Sequence, residues 1–249
     1  MRPNSPMSTA GLALMFGLLC SAPPANAGDA SELNVLGFSP DGSIFAFEEY
    51  GVQDGSGFPY ANRFYIDTAQ DKFVPGTPKR VRIEDETATV AQARNQARQQ
   101  GQAVILDDVL AANPGFAAGR NAVTELSADP WRMAVNPRPI FPRYDPPLEF
   151  RLAEVAVAQP ERCNDLGEIK GFRLIRVATT PGSTAQLLHE DDGTIPTSRG
   201  CPLGYAIGGV QTFYPQAGAP VFAVLIAVRQ IGFEGPDHRW IAVTGPIED

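Results

Sequence analysis

Val221-Phe222-Ala223-Val224-Leu225-Ile226-Ala227-Val228 is apolar at every position. A strand with one wet face alternates apolar and polar residues, whereas an unbroken apolar run marks a strand buried on both faces. A sandwich or an incomplete propeller would provide cover on both faces. Working outward, Leu148 to Ala158, Phe172 to Thr179, Thr184 to His189, Gly204 to Phe213, Val221 to Phe233 and Arg239 to Thr244 read as strands. Asp191-Asp192-Gly193 and Gly235-Pro236-Asp237 supply turns between them. Glycine and proline, 24 and 23 of 249 residues, are frequent enough to punctuate many short strands.

Near the other end, Asn34 to Phe38 and Ser43 to Glu48 flank Ser39-Pro40-Asp41-Gly42. Proline presets φ at the second turn position and glycine closes the turn, so the segment reads as a hairpin. A second pair, Asn62 to Thr68 and Phe73 to Val81, turns near Gln70-Asp71-Lys72 and completes a β-meander. Thr87 to Gln100 reads instead as a helix. Glu84-Asp85-Glu86 precede it, Arg94 and Arg98 lie near its far end, and Gly101 follows. Val90, Ala93, Ala97 and Val104 share about one face, so the helix is expected to cover the sheet; Leu106 to Ala112 reads as a second, short helix. The prolines of residues 136–147 favour an extended connector. The expected fold class is therefore mainly β with a helical insertion, in short-stranded antiparallel sheets. The expected divisions are a signal peptide (1–27), a blade-like meander with the helical segment (28–135), the Pro-rich connector (136–147) and a C-terminal antiparallel β region (148–249).

The leader reading rests on Arg2, the apolar run Gly11 to Cys20, the break at Pro23-Pro24 and the small residues of Ala25-Asn26-Ala27. A membrane-spanning helix needs about 20 apolar residues, about twice this run. Leu18-Leu19 before Cys20 fit poorly the small residue that a lipoprotein signal wants there. Cleavage before Gly28 is expected, with either Met1 or Met7 as the start and the periplasm or the exterior as the destination. Stable membrane insertion after leader removal is not expected. The chain has 20 basic and 28 acidic residues, of which the leader holds only Arg2. The mature protein, with 19 against 28, repels phosphate backbones and anionic membrane surfaces, so no nucleic-acid partner is expected. Cys163 and Cys201 are the two cysteines left after the leader, and in an oxidising compartment such a pair is most simply a disulfide.

Phe38-Ser39-Pro40-Asp41-Gly42-Ser43-Ile44-Phe45-Ala46-Phe47 resembles one blade of TolB-type and related WD40-like propellers, although no second Ser-Pro-Asp-Gly occurs. Gly232-Phe233-Glu234-Gly235-Pro236-Asp237, followed by a strand, echoes it near the C-terminus. A wider resemblance, to a family of predicted secreted bacterial proteins of unknown function, is carried by Phe47-Glu48-Glu49-Tyr50-Gly51-Val52-Gln53-Asp54-Gly55-Ser56-Gly57-Phe58-Pro59-Tyr60, by Tyr65-Ile66-Asp67, Gly76-Thr77-Pro78, and Gly232 to Asp237. It implies export and assigns no activity.

The residues themselves commit to no reaction. No serine stands in Gly-x-Ser-x-Gly, and Gly204-Tyr205-Ala206-Ile207-Gly208-Gly209 has the wrong order for a nucleotide fingerprint. His189 and His238 lack metal-motif spacing and sit by turns. Glu48 and Glu49 are neighbours on a strand, so they point to opposite faces and make a poor pair for glycoside cleavage; Asp54 or Glu234 is the alternative partner across space. Asp54-Gly55-Ser56-Gly57 and Glu190-Asp191-Asp192-Gly193 offer hard oxygens without a calcium-loop pattern and read as solvated turns. No cofactor and no metal are expected. The leading expectation is a non-catalytic envelope module that binds an envelope protein or polymer through the loop from Glu48 to Tyr60, with Glu48, Glu49, Tyr50, Asp54 and Tyr60 as candidate contacts. The alternatives are a carboxylate-dependent hydrolase of cell-wall or exported polymer, and a purely structural envelope protein.

Overall fold

In the computed structural model, which describes residues 28–179, 182 and 184–247, the apolar run lies in the middle of three stacked sheets. The expected leader falls outside the described residues. The first sheet holds β1 (Glu32–Phe38), β2 (Ile44–Val52), β3 (Pro59–Asp67) and β4 (Lys72–Phe73), in that spatial order, with β5 (Lys79–Arg82) also paired to β3. Two helices follow, α1 (Val90–Gly101) and α2 (Asp107–Ala111). The remaining strands are β6 (Phe116–Arg120), β7 (Arg132–Val135), β8 (Leu148–Ala156), β9 (Lys170–Val177), β10 (Gln186–Glu190), β11 (Pro202–Phe213), β12 (Val221–Ile231) and β13 (Pro236–Pro246). They form a central sheet of order β13-β12-β11-β6 and an outer sheet of order β10-β9-β8-β7. The strand ladders are antiparallel.

β12 carries the core on both sides. Phe222, Val224, Ile226 and Val228 meet Phe150, Leu152, Phe172 and Leu174 of the outer sheet. Val221, Ala223, Leu225 and Ala227 meet Phe38, Phe45, Phe47 and Phe64 of the first sheet. The second contact sets large against small. Ring centroids of Phe38 and Phe45, Phe45 and Phe47, and Phe47 and Phe64 stand 4.9, 5.9 and 4.6 Å apart, and the alanines of β12 leave room for that aromatic row. The stack is a three-layer sandwich, mainly β as expected.

The turn Ser39-Pro40-Asp41-Gly42 joins β1 to β2. Gly42 has φ +77°, and Asp41 Oδ1 accepts from Ser39 Oγ at 2.6 Å and Ser43 Oγ at 2.8 Å. α1 covers the far face of the first sheet through Ala93 and Ala97, against Ala61 and Val81, and through Gly101, beside Tyr65 and Arg63. Its start is set by a capping box between Thr89 and Gln92, with no acidic residue in the first turn, so the helix begins three residues later than expected. Residues 136–147 join β7 to β8 inside the outer sheet, with Val135 opposite Leu148, and β6 pairs with β11 of the central sheet. Strands on either side of the proline-rich stretch therefore share sheets. Cys163 and Cys201 are bonded, with Cα atoms 5.7 Å apart. The bond ties the β8–β9 connection to the start of β11 and packs with Ile169, Ile195 and Val157.

Candidate functional site

β13 is the edge of the central sheet, and an edge strand leaves every second N–H and C=O facing away from its neighbour. Because β13 pairs with β12 without a register shift, the outward set is Pro236, which has no N–H, then His238, Trp240, Ala242, Thr244 and Pro246. Each position is managed differently. His238 donates to Asp29 O at 2.8 Å and accepts from Ser31 N at 3.1 Å. Trp240 N–H donates to Glu49 Oε2 at 2.7 Å, Thr244 N–H donates to Asp71 Oδ1 at 2.7 Å, and Pro246 has no N–H. Only the N–H of Ala242 has no partner among the described residues.

That open amide lies on the floor of a cleft of about 280 Å³. The first sheet forms one wall with Phe73 and Arg80, and the outer-sheet side forms the other with His189, Ser198 and Arg199. Glu49 reaches the floor from β2, where Asn62 Nδ2 also donates to it at 2.9 Å. Asp71 reaches it from the β3–β4 turn, at φ +51°, a left-handed conformation that aspartate tolerates better than most residues. Burial pushes both carboxyls above the ordinary range, against the pull of the β13 amides. Asp191 is the opposite case. Burial pushes it up too, but bonds from His189, Phe172 N and Arg199 outweigh that and hold it low.

The cations differ in whether they are already engaged. Arg199 pairs with Asp191 at 2.6 Å, and Arg239 pairs with Asp29 at 2.8 Å and Asp237 at 3.2 Å. Arg80 is exposed, lies over the Phe64 ring at 5.4 Å, and has no carboxylate within ion-pair distance among the described residues. His189 stacks flat on Phe172, centroids 4.4 Å apart, with Nε2 3.2 Å from Asp191. No hydrogen bond joins it to Ser198 among the described residues.

The two floor carboxylates are too far apart to share one bond. They hold amides four residues apart on a strand, a span of about 13 Å, while glycoside cleavage uses carboxyl pairs about 5–9.5 Å apart. Glu48 is not available to either. It lies on the opposite face of β2 from Glu49 and pairs with Arg94 of α1 at 2.9 Å. Tyr50 lies under the Arg94 guanidinium at 3.9 Å. Tyr60 is buried, with its hydroxyl bonded to Ser31 at 2.6 Å and Asp29 at 3.1 Å. Asp54 accepts from Glu234 N at 2.6 Å, and a Cβ on Gly55 would come within 2.8 Å of the Phe233 ring. The segment from Glu48 to Tyr60 is thus two strand ends and a turn, with Glu48, Glu49 and Tyr60 only 3 %, 2 % and 6 % exposed. Its turn rests against the β12–β13 turn, so two of the stretches that carry the family resemblance touch. Of the candidate contacts, Glu49 alone lines the cleft. Asp71, Arg80, Arg199 and Ala242 were not singled out; their shared signal is positional and emerges once β13 is known to be an edge.

A second cavity, also about 280 Å³, lies beneath residues 121–131, with Trp131, Arg229 and His238 among its walls. No helix among the described residues is long and apolar enough to cross a membrane. A family model described as predicted secreted protein (DUF2259) matches residues 46–246. No curated protein and no solved structure matches the chain.

Proposed function

The chain belongs to the family of predicted secreted proteins DUF2259, and from that premise we propose that it is a non-catalytic binding module of the periplasm or exterior that holds an envelope component in the β13 cleft. One observation carries the reading: of the outward N–H groups of β13, that of Ala242 alone has no partner among the described residues, and Ala242 lines a concave site. A strand edge left open over its length would invite aggregation; an opening one residue wide, set among polar and aromatic side chains, suits a ligand. The carboxylates that a hydrolase would need are spent on the fold, since Glu49 and Asp71 hold β13 amides, Glu48 holds Arg94 and Asp54 holds the Glu234 amide.

The test is a titration of ¹⁵N-labelled protein with solubilised envelope polymers, following amide shifts and released product together. The reading predicts shift changes centred on Ala242 and its neighbours, with the polymer unaltered. Product release that disappears in Glu49→Gln or Asp71→Asn would replace it with a hydrolase. Shift changes confined to other surfaces, or none at all, would remove the cleft from consideration.

A further inference from the structure

Resting on that reading of the cleft, we propose that its ligand is a peptide C-terminus: a terminal residue whose amide N–H lies beside a free carboxylate. The inference comes from counting what the floor and walls leave unsatisfied. By the alternation of the ladder, Ala242 turns both its N–H and its C=O into the cleft, a donor and an acceptor from one residue. In an antiparallel pair such a residue exchanges both bonds with a single partner residue. The partner must therefore supply an N–H and an oxygen from the same unit, as an amino acid does.

Beyond Ala242 the edge offers acceptors without donors, because the C=O groups of Trp240 and Thr244 have no partner among the described residues. The next outward amides, Trp240 N–H and Thr244 N–H, are already taken by Glu49 and Asp71. A continuing ligand strand would bring its carbonyl oxygens against those two carboxylates with no donor to receive them. The caps thus leave Ala242 as the one residue that can exchange both bonds; a C-terminus meets a cap only on its preceding side, toward Thr244, where its chain turns out of the cleft, whereas an internal segment meets both caps.

Arg80 indicates which end. It is a cleft arginine with no carboxylate within ion-pair distance among the described residues; it acts on Glu49 from longer range and lies over the Phe64 ring. A guanidinium in this state is matched by a carboxylate, with which it makes a charge-assisted hydrogen bond. In the resulting complex the ligand's terminal N–H donates to Ala242 C=O, and one carboxylate oxygen accepts from Ala242 N–H. The second oxygen faces Arg80, and the ligand's side chain lies toward Phe73, which is 47 % exposed. An N-terminus would bring an ammonium toward Arg80 and is disfavoured by charge.

Two sources carry this chemistry, the C-terminus of an exported protein and the peptide of a cell wall, and the chirality of the terminal residues separates them. Calorimetric titration of the disulfide-bonded protein uses N-acetyl-L-alanyl-L-alanine and its D,D enantiomer. Each is compared with its C-terminal amide and with a form N-methylated at the last peptide bond. At least one free acid is expected to bind, and amidation or N-methylation is expected to weaken it roughly tenfold or more. The exposed Arg80→Ala should weaken the acid by a similar factor while leaving the weak amide form unchanged, which a general loss of folding would not do. Preference for the L,L or the D,D acid names the source. Equal binding of acid and amide, indifference to Arg80→Ala, or no binding of either acid overturns the proposal. The polymer titration uses none of these probes, so a ligand assignment that fails here is distinguishable from a cleft that binds nothing.

Discussion

Glu49 and Asp71 show how a single carboxylate can serve a fold at some cost to itself. Each satisfies an edge amide that would otherwise be buried without a partner, which is worth about 1–3 kcal/mol. Glu49→Ala and Asp71→Ala are each expected to lower stability by about that amount in urea unfolding, with increased self-association in light scattering as the edge opens. Burial raises both carboxyls. A raised folded pKa means that the associated stability is full below the unfolded value, 4.5 for glutamate, and is lost as pH rises through the folded value. The neutral Glu49→Gln keeps an acceptor for Trp240 and escapes that loss, so its stability relative to wild type should improve from pH 4 to pH 8. A flat or falling difference would contradict the burial account. Asp191 has the opposite sign. Its depressed carboxyl stabilises the fold above the unfolded value of 3.8 and loses that contribution as pH falls through the lower folded value. Asp191→Asn should therefore flatten the acid limb of the stability profile below about pH 4, measured by denaturant midpoints across pH.

At the level of elements, legibility followed how local each cause was. The run Val221 to Val228 announced a doubly buried strand because its pattern is written in consecutive residues, and β12 meets a sheet on each face. The Ser39-Pro40-Asp41-Gly42 turn was equally plain. α1 was visible, but its start was not: Glu84-Asp85-Glu86 suggested acids in the first turn, while the Thr89–Gln92 box does the capping. Thr89→Ala should cost about 1 kcal/mol and hasten amide exchange in the first turn of α1. β6 and β7 escaped notice because Phe116-Ala117-Ala118-Gly119-Arg120 and Arg132-Met133-Ala134-Val135 are too short to show a period. They are strands because β11 and β8 offer them ladders. The disulfide was legible from compartment and count. It closes a separation of 38 residues, for which chain entropy gives about 4 kcal/mol, and reduction should lower the thermal midpoint accordingly.

Across the whole molecule, the central sheet is both the core and the floor of the proposed site: its faces are covered by two sheets, and Ala242, whose N–H is the open one on the β13 edge among the described residues, lies where they part. This explains why the site was the least legible feature. Glu49, Asp71, Arg80, His189 and Ala242 come from three sheets, and no spacing in the sequence links them. It also explains why the loop from Glu48 to Tyr60 drew attention for its polarity when much of that polarity is spent internally on α1, β13 and residues 29–31. The most direct measurement of the central claim is residue-resolved amide exchange along β13. The account predicts slow exchange at Trp240 and Thr244, fast exchange at Ala242 between them, and slowing of Ala242 alone when the cleft is filled. Ala242 as protected as its neighbours in the empty protein, or Trp240 and Thr244 as exposed as Ala242, would contradict it.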